Sequence, residues 1–271
     1  MATTSSGHLI SPATTPVPGD GYVQSFARGL QVIRSFNADA PRQTLTEVAS
    51  RSELTRAGAR RILLTLQSLG YVESDGKLFS LTPRILDLGF AYLSSMPIWN
   101  LAEPIMEALV EEVKESCSAA VLEGTDIIYV LRVPTHKIMS ISLGVGSRLP
   151  AYCTSLGRVL LAGLPDDDVL SRLQASDRKA LTRHTLTDVH ELLAKVQATR
   201  KQGWSLVNQE LEEGLVSLAA PVTNREGRTV AALNISGQAN RTSAKIMQDS
   251  MLPALLAAAK TISKLLAVKR A

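Results

Sequence analysis

Thr55-Arg-Ala-Gly-Ala-Arg-Arg opens a run that continues Ile-Leu-Leu-Thr-Leu. A guanidinium can grip guanine bidentately or hold a phosphate in a fork. Arg56, Arg60 and Arg61 therefore suit a nucleic-acid surface, provided one helix turns them outward. Ala59, Ile62, Leu66 and Leu69 form the apolar stripe that would do so, carrying Arg61 outward only in part. Thr55 is a natural N-cap, and the free amides of a helix N-terminus hold phosphate. Ala57 and Gly58 are small enough for a close backbone approach. Arg28, Thr44 and Thr65 join the candidate DNA contacts, and Lys77, on a later turn, would reach a flanking phosphate.

A second constellation is Gly146-Ser-Arg-Leu-Pro-Ala-Tyr-Cys-Thr-Ser155. Arg148 offers a planar fork for a carboxylate, while Thr154 and Ser155 begin a helix, where an anion is welcome. Cys153, beside that helix start, has the setting of an activated nucleophile. None of the four histidines (His8, His136, His184, His190) sits in a pairing motif, so a structural or cavity-wall cysteine is the expectation. There is no GxGxxG fingerprint, no Walker A string and no metal-ligand spacing. No catalytic residue, metal or cofactor is expected. Asp166-Asp-Asp168 reads as a helix N-terminus favouring the dipole.

The elements that must hold these residues can be read in order. Phe26, Leu30, Ile33 and Phe36 recur at helical spacing, and the helix they make ends near Asn37 and Pro41. Thr44-Leu-Thr-Glu47 is a capping box that starts a short second helix, and the arginine-bearing helix follows after Ser52–Leu54. Gly70 ends it. Tyr71–Glu73 and Leu78–Leu81 then flank Ser74-Asp-Gly-Lys77, a hairpin turn because glycine accepts a positive φ. Three helices and a hairpin in some 60 residues make the plan of a winged helix-turn-helix. Thr82-Pro83 opens a linker helix through Leu88 and Leu93, broken at Pro97.

Beyond it lie a helix through Leu101, Ile105, Leu109 and Val113, and strands at Ser118–Glu123, Ile127–Val133 and Ile138–Leu143. Helices follow at Ser155–Ala162 and from Asp188 to Gly203, then strands near Trp204–Asn208, Leu215–Val222 and Thr229–Ser236. A long helix from about Ser243 to Val268 closes the chain. The fold class is α+β, divided as a flexible tail over 1–21, a winged helix-turn-helix over 22–83, a linker helix over 84–97 and a mixed sheet domain over 98–271.

With 271 residues, 45 % of them hydrophobic and 20 % charged, the chain has the composition of a globular protein. Two cysteines build no disulfide framework. The N-terminus does not read as a signal peptide, and no uninterrupted apolar run is long enough to span a membrane, so a cytoplasmic location is expected. The net charge of +4 is informative only once resolved along the chain. Nine basic and five acidic residues lie between Tyr22 and Arg84, so the whole excess falls on the candidate DNA reader.

YVQSFARGLQVIRSF, TLTEVASRSELTRAGARRILLTLQSLGYVE, GSRLPAYCTSLGRVLLAGLP and GWSLVNQELEEGLVSLAAPVTNREGRTVAALNISG together resemble the IclR family of bacterial transcriptional regulators over about residues 22–268. SRLPAYCTSLGRVLLA is most similar to the branch that regulates protocatechuate and 4-hydroxybenzoate catabolism. The resemblance implies a ligand-responsive regulator that binds double-stranded operator DNA, not an enzyme. It also implies a GAF-like effector domain, a small aromatic acid as effector, and dimers or tetramers. The loop before Ser155 and the Glu210–Ser217 segment would face each other across the pocket. Glu210 would accept from phenolic hydroxyls and Ser217 would point inward, with Arg132, His136, Ser142, Pro150, Tyr152 and Cys153 as further lining. Family recognition helices often begin Ser/Thr-Thr-Val-x-Arg where this one has Arg56-Ala-Gly-Ala-Arg60, so no operator sequence carries over. The alternative is a small-molecule enzyme or sensor whose helical N-terminal domain binds protein.

Overall fold

The computed structural model describes residue 19 and residues 21–95, 98–135 and 143–268. Apart from residues 19 and 21, the expected tail lies outside them. The chain forms two compact units that divide between Ser95 and Met96.

In the first unit, α1 (Gln24–Ser35), α2 (Leu45–Arg51) and α3 (Arg56–Ser68) close over Val32, Phe36, Val48, Ala49, Ala59, Leu63, Leu66 and Val72. The capping box forms: Thr44 Oγ1 accepts from Glu47 N at 3.3 Å, and the Glu47 carboxylate accepts from Thr44 N at 2.7 Å. The bonds that Thr44 N and then its hydroxyl donate to the Glu47 carboxylate hold that carboxyl below its usual range. β2 (Val72–Ser74) and β3 (Leu78–Leu81) make the hairpin, with Gly76 at φ +97° in its turn. Asp75 orders that turn by accepting from the amides of Leu78 and Lys77 at 2.8 and 3.0 Å. Sequence reading missed β1 (Arg42–Thr44), which adds a third strand in the order β1-β3-β2. Three residues are too few to show alternation; tertiary pairing and the Arg42–Asp75 ion pair at 2.5 Å hold them. The linker region is a 3₁₀ turn, Pro83–Ile85, followed by α4 (Leu86–Ser95), while Pro97 lies outside the described residues.

The second unit starts with α5 (Ile98–Val113) and is built on a six-stranded antiparallel sheet. Its strands are β4 (Ser116–Glu123), β5 (Asp126–Val133), β6 (Arg148–Pro150), β7 (Ser205–Asn208), β8 (Leu215–Thr223) and β9 (Thr229–Gln238), in the order β6-β5-β4-β9-β8-β7. On one face Ala120, Ala219 and Ala232 pack with α6 (Ser155–Ala162), α7 (Asp166–Ala175) and α8 (Val189–Gln202). The alternate residues Val216, Leu218, Leu233 and Ile235 are equally buried, on the face covered by α5 and α10 (Leu252–Val268). Both faces are therefore covered, which explains why the strands read as largely apolar runs.

The strand expected over Ile138–Leu143 falls outside the described residues but for Leu143, which is not in a strand. Two features differ from expectation. Arg148–Pro150, read as loop, is the edge strand β6, paired to Asp126–Ile128. The closing helix begins as a short turn, α9 (Ala244–Ile246), then passes through a π-helical turn at Met247–Met251. The stretch Ala244–Ala267 is long and apolar enough, by length and composition, to cross a membrane. Here its buried line of Met247, Leu255, Ala259 and Ile262 seats it against β8 and α5 instead.

Candidate functional site

The first unit carries the cationic surface. The Thr55 hydroxyl caps α3, accepting from Gly58 N at 3.1 Å. Ala59, Leu63 and Leu66 take the inward face, leaving Arg56, Ala57, Arg60, Arg61 and Thr65 exposed on one helix. At 100° per residue, Ala57 and Arg61 lie diametrically opposite the buried line, whereas Arg56 and Arg60 flank it. Arg61 is thus the most outward of the three arginines, where the sequence reading had turned it only partly out. The Thr65 hydroxyl donates to Arg61 O at 2.9 Å and retains its acceptor lone pairs. Lys77 is exposed at the hairpin tip and Arg28 along α1, while the Thr44 hydroxyl is engaged by Glu47 at 2.8 Å.

The second unit holds a cavity between the sheet and the start of α6. Tyr129, Arg132, Leu143, Leu149, Cys153, Thr154, Ser155, Val207, Leu211, Leu215, Ser217, Asn234 and Ser236 line it. Its floor is a chain of hydroxyls and one amide. Ser155 and Ser217 Oγ lie 2.7 Å apart, Ser217 and Ser236 Oγ 3.0 Å, and Asn234 Nδ2 donates to both Ser217 and Ser236 at 2.9 and 2.8 Å. Ser118 N donates to Asn234 Oδ1 at 3.1 Å, fixing which way the amide faces. Arg132 Nη1 donates to Ser118 Oγ at 3.4 Å, a long bond that leaves most of the guanidinium's donors for another partner. The walls are leucines and a valine. Among its described lining residues, Arg132 is the one full charge.

Of the residues expected around a ligand, the structure gathers Arg132, Cys153, Thr154, Ser155 and Ser217 at this cavity. Arg148 is not among them: it is half exposed on β6 and bonds Asp126 at 3.3 Å, because the strand pairing turns its side chain outward. Pro150 and Tyr152 support the wall from behind. The Pro150 carbonyl accepts from Thr154 Oγ1 at 3.0 Å, and the Tyr152 hydroxyl donates to Lys179 O at 2.7 Å. His136 and Ser142 lie outside the described residues.

Glu210 has a different role from the one expected. Its carboxylate takes a bidentate bond from Arg158, Nη1 to Oε1 at 2.7 Å and Nη2 to Oε2 at 2.6 Å, with the two side chains 3 % and 9 % exposed. Leu186 N also donates to it at 3.2 Å, and Arg158 Nε donates to Tyr152 O at 3.1 Å. The pair therefore ties α6 to the segments on either side of α8, and Glu210 is not among the residues that line the cavity. Sequence reading missed Arg158, which looks like one polar residue on an apolar helix. It also missed Asn234, Ser118 and Ser236, although polar residues at alternate positions in buried strands were a visible signal.

Gly157 brings α6 down onto its own entry loop, since a Cβ there would lie 2.2 Å from Ala151 O. The Thr154 hydroxyl caps the helix by accepting from Gly157 N at 3.1 Å. Cys153 is buried in the same turn, and burial pushes its thiol up to about 12. Burial thus disfavours the thiolate that nucleophilic chemistry needs.

Two family models match the chain: an IclR helix-turn-helix domain over residues 25–76 and the bacterial transcriptional regulator IclR C-terminal domain over residues 90–264. The chain is 43 % identical over 242 residues to the Pca regulon regulatory protein of Pseudomonas putida, covering 89 % of this chain and 83 % of that one. It is 35 % identical over 241 residues to the p-hydroxybenzoate hydroxylase transcriptional activator of Acinetobacter baylyi, covering 87 % and 89 %. Among solved structures it is similar to a putative transcriptional regulator from Rhodococcus sp. RHA1, with 49 % identity, TM-score 0.81 and coverage of 90 % and 98 %. It is also similar to a double mutant of the PobR inducer-binding domain from Acinetobacter in complex with 3-hydroxybenzoic acid. There the identity is 31 %, the TM-score 0.58 and the coverage 62 % and 98 %.

Proposed function

The chain belongs to the IclR family of bacterial transcriptional regulators, and from that premise we propose that it senses a small aromatic monocarboxylate and thereby controls genes for aromatic-acid breakdown. The observation that carries this reading is the cavity's pairing of one guanidinium with a serine–asparagine floor between apolar walls. Arg132 takes the carboxylate in a charge-assisted bond. Ser155, Ser217, Ser236 and Asn234 take ring hydroxyls, and Leu149, Val207, Leu211 and Leu215 enclose the ring. Protocatechuate and 4-hydroxybenzoate have this distribution of charge, hydroxyl and apolar face. The 3-hydroxybenzoic acid bound by the PobR domain is of the same class.

On the first unit, α3 enters the major groove of operator DNA, with Arg56, Arg60 and Arg61 toward bases and phosphates and Lys77 on a flanking phosphate. Residues 22–83 serve as the DNA-binding domain, 84–97 as the linker and 98–271 as the effector and oligomerisation domain, acting in the cytoplasm. Exposed Val23 at the start of α1, Phe26 and Leu30 on α1, and Leu86 and Phe90 on α4 supply apolar surface for pairing with a second copy.

Calorimetric titration of the full chain with a panel of hydroxybenzoates tests the effector. Arg132→Met is expected to lose about ten- to a hundredfold in affinity for the best ligand while the protein stays folded. Wild-type affinity in that variant would remove Arg132 as the carboxylate anchor, and binding of none of the panel would remove the ligand class.

A further inference from the structure

α3 carries one large apolar residue where a DNA-reading helix has no structural use for it. Leu64 is 46 % exposed, in a helix whose core contacts are made by Ala59, Leu63 and Leu66. Helical geometry places Ala57, Arg61, Leu64 and Ser68 together on the face turned away from the buried one. Leu64 therefore stands on the same outward face as Arg61, about one turn after it. From Arg56 to Arg61 the helix has three arginines, and no acidic residue occurs from Thr55 to Ser68. A polyanion is the partner whose charge matches this face, and a leucine within it gains nothing from phosphate. In the major groove, however, thymine presents a C5-methyl group, the one apolar feature by which base pairs differ there.

We infer that Leu64 reads thymine by its methyl group. Three residues of helix rise about 4.5 Å, against about 3.4 Å per base pair, so the thymine lies one or two base steps from the base that Arg61 contacts. The inference rests on the proposal that α3 is the DNA reader, and goes beyond it by assigning a base to an uncharged side chain.

Random duplexes selected with the full-length protein would supply a preferred site, in which each thymine is then replaced singly by deoxyuridine. Loss of one methyl contact is expected to weaken wild-type binding about fourfold at one position in each half-site. Leu64→Ala is expected to bind the thymine and uracil duplexes equally at that position, with the wild-type dependence on salt. Leu64→Gln, which keeps the helix face polar and the side chain long, is expected to select a site without that thymine. Wild-type protein indifferent to every uracil replacement would overturn the inference, as would Leu64→Ala retaining the wild-type loss at the same position. Arg61→Ala separates the two levels. If it shifts the selected sequence while both Leu64 variants select the wild-type one, Leu64 alone is wrongly assigned; if it too leaves the sequence unchanged, α3 is not the reader and both readings fall.

Discussion

Replacing Arg158 by methionine leaves the Glu210 carboxylate buried with the Leu186 amide as its remaining described partner. An uncompensated buried charge costs about 3–5 kcal/mol, so Arg158→Met is expected to lower stability by that much in denaturant unfolding. The double variant Arg158→Met with Glu210→Met removes both charges and is expected to recover most of the loss. A double variant as unstable as the single one would mean that the bonds to Tyr152 O and Leu186 N matter more than the ion pair. Arg148 makes the contrasting case. Its bridge to Asp126 is half exposed, so Arg148→Ala is expected to change stability by less than about 1 kcal/mol and leave hydroxybenzoate affinity unaltered in calorimetry. The two arginines differ little as letters in a sequence. What separates them is which strand or helix carries them, and that is decided by pairings far along the chain.

The hairpin between β2 and β3 shows the same dependence at the level of an element. Amide bonds from Leu78 and Lys77 hold the Asp75 carboxyl below the usual range, with Arg42 adding to the effect. Because the folded-state value is depressed, the stabilisation is present above the ordinary carboxylate range and is lost as pH falls through the lowered value. Protection of the Lys77 and Leu78 amides from hydrogen exchange is expected to fall on acidification. Asp75→Asn should show a smaller pH response, and an unchanged response would assign the effect to another group, Glu47 in the capping box being the nearest in kind. Much of this unit was legible beforehand, because Thr44, Glu47, Thr55, Asp75 and Gly76 act on neighbours within a few residues. The strands β1 and β6 were not, since three residues carry no period and their pairing depends on partners elsewhere. The cavity was half legible. Ser155 and Thr154 announce a helix start, whereas Asn234 and Ser118 meet only when β4 and β9 pair.

Over the whole chain, the first unit carries the basic stretch Tyr22–Arg84 together with exposed aromatic residues, Phe26 at 69 % and Phe90 at 68 %. Phe26→Ser combined with Phe90→Ser is expected to lower the assembly state in sedimentation velocity while leaving the second unit's ligand affinity intact. A variant that sediments like wild type would place the self-association surface elsewhere. Paired DNA-binding units would also double the phosphate contacts per complex, so the same variant is expected to show a shallower dependence of DNA affinity on salt.

The chain's two cysteines, Cys117 and Cys153, are both buried, and burial raises both thiols far from the neutral range. In effect the native molecule offers thiol-directed dyes almost nothing to attack. A cysteine introduced at Lys77, on the exposed hairpin tip, would be the single site that takes a fluorophore. The wing could then be watched as DNA arrives, without first stripping the molecule of its own sulfur.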